Sequence, residues 1–218
     1  MSSQMPDRWP GEEVAPALRP PHPDEPVDAE AEAAPAAEPE PAAEAEAEPK
    51  QHAHGDIDIP DDVDVLEGQA GPTRRSVAVV VSKFNGEITT QLLESALAEL
   101  DSIGVGRDQV TVVPVPGAFE LPLASMALAK TRRYVCVVAL GCVIRGDTPH
   151  FEYVAAEAAS GLQLAGLETG IPVAFGVLTC DTHEQAEARV GKGADAVRTA
   201  LEMADLFVQL RQAAAAQG

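Results

Sequence analysis

Val77-Ala78-Val79-Val80-Val81 is an unbroken apolar run, mostly β-branched, with no polar alternation. That pattern predicts a strand covered on both faces. Asn85-Gly86 interrupts it and offers a helix cap. Ile88, Leu92, Ala96 and Leu100 then recur at every fourth position, predicting one buried face of a helix that ends near Gly104. The same reading gives strands over 110–115, 134–140 and 172–178. It gives helices over 121–130, 150–167 and 192–212, with a further helical start at Thr182. Strand and helix alternate four times. This is the signature of an α/β fold: a four-stranded parallel sheet, right-handed crossovers, and helices on both faces in a three-layer α/β/α sandwich.

The chain before position 74 follows no such rule. Residues 1–73 hold 19 Asp and Glu against 3 Lys and Arg, whereas residues 74–218 hold 16 against 12. Thirteen of the 18 prolines also precede position 74, and no Cys, Phe or Tyr does. So little apolar surface does not offset chain entropy, and the expectation is a disordered acidic extension over 1–73 ahead of one globular domain over 74–218. Within it, Ala, Glu and Pro alternate over 29–49, and Pro35, Pro39, Pro41 and Pro49 fall too often for a long helix. The run reads as a solvating tail or as acidic bait for a basic partner. His52 and His54 are too few to make a metal site alone, and the aspartates from Asp56 to Asp64 read as a weak cation sponge.

Charge and length exclude several classes. No apolar stretch approaches the ~20 residues of a membrane span. Met1 to Pro10 lacks the apolar core of a secretory signal. Cys136, Cys142 and Cys180 cannot all pair within one chain, so reduced thiols in a cytoplasmic protein are expected. With no basic stripe to displace counterions, nucleic acid is not an expected partner. Neither the GxGxxG nor the GxxxxGK[ST] spacing occurs, nor a GxSxG elbow.

Ligands of open α/β sheets bind beyond the carboxyl ends of the strands, so the residues after each apolar run carry the chemistry. These are Ser82 to Gly86, Pro116 to Glu120, Gly141 to His150 and Thr179 to Thr182. Phe84, Phe119 and Phe175 lie in or beside this rim, which fits a flat ring as ligand or ordinary core filling. Thr148 before Pro149 reads as a cap followed by the favoured first helical residue. The helix start beyond Gly146 is then an anion site. His150 sits where the helix dipole disfavours positive charge, which suits either a proton shuttle or a plain surface residue. Glu120 is either an acceptor for sugar-like hydroxyls or an exposed acid at a helix start. Arg189 and Lys192 either bind an anion or complement a helix end, and Cys142, at the rim without an assigned base, reads as a small apolar filler.

Taken together, SKFNGEIT, VPGAFELP, GCVIRGDTPHFEYV and AFGVLTCDTHEQAEAR, in this order and spacing, resemble the 6,7-dimethyl-8-ribityllumazine synthase family over about residues 76–210. The resemblance implies a flavodoxin-like domain with sheet order 2-1-3-4, assembled as homo-oligomeric pentamers or larger shells of pentamers. It implies two small-molecule substrates, no cofactor and no metal, with riboflavin synthase as a candidate partner. Phe84 would stack on the pyrimidine of 5-amino-6-(D-ribitylamino)uracil, with Ala118, Phe119, Glu120, Cys142, Val143 and Ile144 holding that substrate. Asp147 and Thr148 would hold the phosphate of 3,4-dihydroxy-2-butanone 4-phosphate, and His150 would be the proton donor. Phe175 and Arg189 would reach a neighbouring subunit's site, the arginine on the phosphate. The chain departs from many relatives in placing Arg189 only three positions before Lys192, without the usual Asn, so no role passes to Lys192. The acidic extension has no counterpart in the family. A non-catalytic binding or shell protein of this fold and a related riboflavin synthase are the rival expectations.

Overall fold

The computed structural model describes residues 57–216. The expectations for the Ala/Glu/Pro run, His52, His54 and Asp56 lie outside the described residues. Four strands, β1 (Ser76–Ser82), β2 (Val110–Val115), β3 (Tyr134–Ile144) and β4 (Val173–Cys180), form one parallel sheet in the order β2-β1-β3-β4. The helices are α1 (Gly86–Ile103), α2 (Leu121–Lys130), α3 (His150–Thr169), α4 (His183–Glu187) and α5 (Lys192–Ala216). The flavodoxin-like α/β architecture and the sheet order are as expected.

The core divides by strand parity, because successive side chains point to opposite faces. Val77, Val79, Val138 and Leu140 pack with Ala96 and Leu100 of α1 and with Ala196, Val197, Ala200 and Leu201 of α5. Ala78, Val80, Val137 and Ala139 pack with Leu121 and Ala129 of α2 and with Ala158 and Leu162 of α3. Both faces of β1 and β3 are therefore covered, which is why their sequences are apolar without alternation. The α1 stripe read from the sequence is the buried one: Ile88, Leu92 and Ala96 have no exposure and Leu100 only 1%.

The end of α1 shows why glycine stands at 104. Its φ of 92° is left-handed, and its N–H donates to the Asp101 carbonyl while that of Val105 donates to Leu100. Paired bonds of this kind satisfy carbonyls that the helix leaves open.

Residues 67–73 do not follow the expectation for an acidic extension. The Gln69 N–H donates to Asp205 Oδ2 (3.1 Å), and Gln209 Nε2 donates to the Glu67 carbonyl (2.8 Å). Gln109 Nε2 donates to the Thr73 carbonyl (2.9 Å), and Ala70 packs on the α1/α5 core. A Cβ on Gly68 would land on the Glu202 carbonyl, so the strap runs against the α5 backbone only because that residue lacks one.

Candidate active site

Three of the four rim segments converge on one cavity, with Thr179 to Thr182 outside its lining, and they do so on a longer central strand than the sequence indicates. Gly141 to Ile144, expected in a loop, continue β3, paired through Val143↔Thr179 and Ile144↔Cys180. Cys142 is accordingly a strand residue only 2% exposed, buried as a small apolar filler would be. Burial pushes its thiol up to about 11, with the neighbouring Cys180 adding to the shift.

Two hydrogen-bonded ties hold the first and second rim segments over this floor. Lys83 and Phe84 donate their N–H groups to the Val115 and Pro116 carbonyls (2.8 and 3.1 Å), extending the β1–β2 pairing to the phenyl ring. Asn85 makes no side-chain cap for α1; it is left-handed (φ 55°), and its Nδ2 donates to the Cys142 carbonyl at 2.9 Å. The asparagine thus joins the first segment to the strand beneath the pocket. Asparagine tolerates that backbone region better than most residues.

Glu120 has a structural task. Its Oε2 accepts from the Gly117 N–H at 2.9 Å, closing the short turn of Ala118 to Glu120 ahead of α2. One carboxylate oxygen remains for a ligand. Phe84 and Phe119 are 69% and 58% exposed, which marks them as walls of an open site rather than core.

The third segment also differs from its expectation. α3 begins at His150, Pro149 occupies the cap position with φ −63° and ψ −2°, and no side chain caps the helix. Thr148 is therefore one residue too early to cap. Its hydroxyl, like Asp147 and His150, is exposed at the mouth.

Phe84, Ala118, Phe119, Glu120, Cys142, Val143, Ile144, Thr148 and His150 all line one cavity of about 590 Å³. That volume is within the range of small-molecule sites. Phe151, Tyr153 and Val154 from the first turns of α3 line it too, although the sequence reading passed over them. Their signal was the apolar and aromatic content of His150-Phe151-Glu152-Tyr153-Val154 directly after the rim loop. Asp147 lies in the same loop but outside the lining.

Phe175 and Arg189 are not brought into this cavity. Phe175 lies in the middle of β4 opposite Ala139, not at the strand's carboxyl end, and borders a cavity of about 230 Å³ with Lys192 and Asp195. Lys192 is paired there with Asp195, Nζ to Oδ2 2.9 Å. Arg189 is exposed and donates to the Gln185 carbonyl (2.8 Å). No group of three or more His, Cys, Asp or Glu side chains suited to a metal ion occurs among the described residues.

The family model for 6,7-dimethyl-8-ribityllumazine synthase matches residues 74–208. The chain belongs to that family. It is 49% identical over 155 residues to the 6,7-dimethyl-8-ribityllumazine synthases of Yersinia pestis (strain Pestoides F) and Yersinia pseudotuberculosis serotype O:1b (strain IP 31758). Each match covers 68% of this chain and 99% of the relative. The matched region contains every residue that lines the cavity.

Proposed function

We infer from family and geometry together that the protein is an enzyme of riboflavin biosynthesis. It condenses 5-amino-6-(D-ribitylamino)uracil with 3,4-dihydroxy-2-butanone 4-phosphate to give 6,7-dimethyl-8-ribityllumazine, phosphate and water. The observation that carries this reading is the convergence of Phe84, Ala118 to Glu120, Val143, Ile144, Thr148 and His150 on one cavity at the carboxyl ends of the strands.

The chemistry needs an amine and a ketone held together, and protons moved. The amine adds to the ketone and loses water to form an imine, phosphate is eliminated, and a second condensation closes the ring with loss of another water. Holding both partners in one pocket removes most of the entropic cost of their encounter. In our assignment the flat ring of the uracil lies against Phe84 over the apolar floor of Val143 and Ile144. The free oxygen of Glu120 accepts from its hydroxyls. Asp147 and Thr148 hold the phosphate, and His150 transfers protons between nitrogen, carbon and oxygen.

We further propose that the site is completed by a second copy of the chain. Phe119, Leu123, Tyr153, Leu164 and Leu167 are each at least half exposed, which supports a large buried interface in the assembly. A cyclic homo-oligomer, a pentamer in our reading, presents two different surfaces at each contact. It would let Phe175 and Arg189 of one subunit face the cavity of the next. The three free, buried cysteines fit a cytoplasmic location.

Incubating the purified protein with both substrates should give the fluorescence of the lumazine product, and its absence would remove the reaction. Refolding inactive His150→Ala and Arg189→Ala chains together should restore about a quarter of the sites if the two residues serve one site from different chains. An inactive mixture that has exchanged subunits, checked by mass, would exclude the shared site.

A further inference from the structure

The loop that carries Asp147, Thr148 and His150 is poorly anchored by its own residues. α3 has no side-chain cap, and Asp147 and Thr148 form no side-chain hydrogen bond among the described residues. Arg145, outside the cavity lining, makes the missing connections. Its Nε donates to Asp181 Oδ1 at 2.7 Å, and its Nη1 lies 3.4 Å from Glu152 Oε1. Its guanidinium stands 4.6 Å from the centre of the Phe151 ring, a cation–π contact with the side chain that walls the cavity behind His150. Its N–H donates to the Cys180 carbonyl at 3.0 Å, so backbone and side chain grip the same β4–α4 corner. That corner is braced in turn. The Asp181 N–H donates to Gln185 Oε1 (3.0 Å) and the Gln185 N–H to Thr182 Oγ1 (3.2 Å).

We propose that Arg145 is a positioning residue for the reaction, clamping the first turn of α3 to the β4–α4 corner so that Thr148 and His150 are held over the cavity floor. A planar guanidinium that bonds along its edge and stacks by its face suits this task, and an ammonium does not. The ion pairs are half exposed, so their removal costs the fold little. Displacing a reacting group by an ångström is far more costly to rate. The role rests on the reaction assigned above, and wild-type turnover measured alongside keeps the two apart.

The test compares wild type with Arg145→Met, Arg145→Lys and Asp181→Asn in steady-state lumazine formation, varying each substrate separately. Arg145→Met should lower kcat and raise KM for the butanone phosphate, together about 10–100-fold in kcat/KM. KM for the ribitylaminouracil, held on the strand floor, should stay within about twofold, and the melting temperature within a few degrees. Arg145→Lys should recover only part of the loss. Asp181→Asn, at an exposed carboxylate, should shift the same parameters in the same direction and carries the test if Arg145→Met does not fold. Unchanged parameters would overturn the proposal, as would a parallel rise in both KM values with a fall in melting temperature. No product from wild type would instead remove the reaction itself.

Discussion

Two parts of one cavity are built on opposite principles. The floor, Cys142 to Ile144, is the end of a strand whose neighbours are fixed by sheet register, and Cys142 and Val143 are 2% and 8% exposed. The polar rim from Gly146 to His150 is exposed throughout and is tied to the fold through Arg145. The floor cannot change without disturbing the core, whereas the rim can lose its chemistry with the core intact. Stability and activity should therefore separate along this line.

The sharpest separation is at His150. His150→Ala should lower turnover by about 10²–10⁴-fold, with residual activity from orientation in the cavity. Its melting temperature should match wild type, because an exposed first-turn side chain without a cap bond contributes little to folding. Steady-state kinetics beside a thermal melt checks both halves. Wild-type turnover in this variant would remove the histidine from the mechanism.

The converse is expected at Leu121, fully buried at the start of α2 and packed against the strand at Gly141. Leu121→Ala should cost about 2–5 kcal/mol of stability through lost burial and the space left behind. Activity well below the melting transition should fall far less than in His150→Ala. A large loss of kcat with an unchanged denaturation midpoint would break the division between floor and rim.

The same division governs what the sequence discloses. Unbroken apolar runs and the four-residue stripe of Ile88 to Leu100 identify the sheet layers, since burial on both sides leaves no other residue pattern. The end of β3 is hidden in the sequence because Gly141 and Cys142 read as loop-like small residues, and only their pairing with β4 reveals them as strand. Thr148 before Pro149 has the composition of a cap, but helical geometry begins a residue later. Glu120 binds a backbone N–H three residues back, a local contact its isolated chemistry does not announce. His150 and its neighbours in the rim loop stand out mainly through the combined motifs, because an exposed polar side chain has many innocuous uses.

Acidity of the buried thiols offers a quieter test on the core side. Burial pushes Cys136 up to about 12 and Cys142 up to about 11, against about 8.5 for a free thiol. Their stabilisation is fully present below about pH 8.5. As pH rises further, the unfolded chain releases protons that the folded chain keeps, so stability falls towards pH 11–12, by at most about 1.4 kcal/mol per pH unit for each thiol. Urea midpoints between pH 8 and 10 should fall less steeply in Cys136→Ala than in wild type. Parallel slopes would show that Cys136 contributes nothing to the trend.

The smallest effect concerns the boundary between extension and domain. Composition puts it at residue 73, yet Gln69, Glu67 and Thr73 hold backbone hydrogen bonds to Asp205, Gln209 and Gln109, and Ala70 reaches the core. These bonds are mostly exposed, and each contributes at most about 1 kcal/mol net before the entropy of ordering the strap is subtracted. Removing residues 1–56 should therefore leave the melting temperature unchanged, whereas removing 1–73 should cost about 1–2 kcal/mol, a fall of several degrees for a domain of this size. Gly68→Ala in the full chain should reproduce part of that fall, because its methyl group meets the Glu202 carbonyl and lifts the strap from α5. Equal melting temperatures for the two truncations and the full chain would place the boundary at 73 after all. A fall already complete on removing 1–56 would move the stabilising contact into the acidic extension itself.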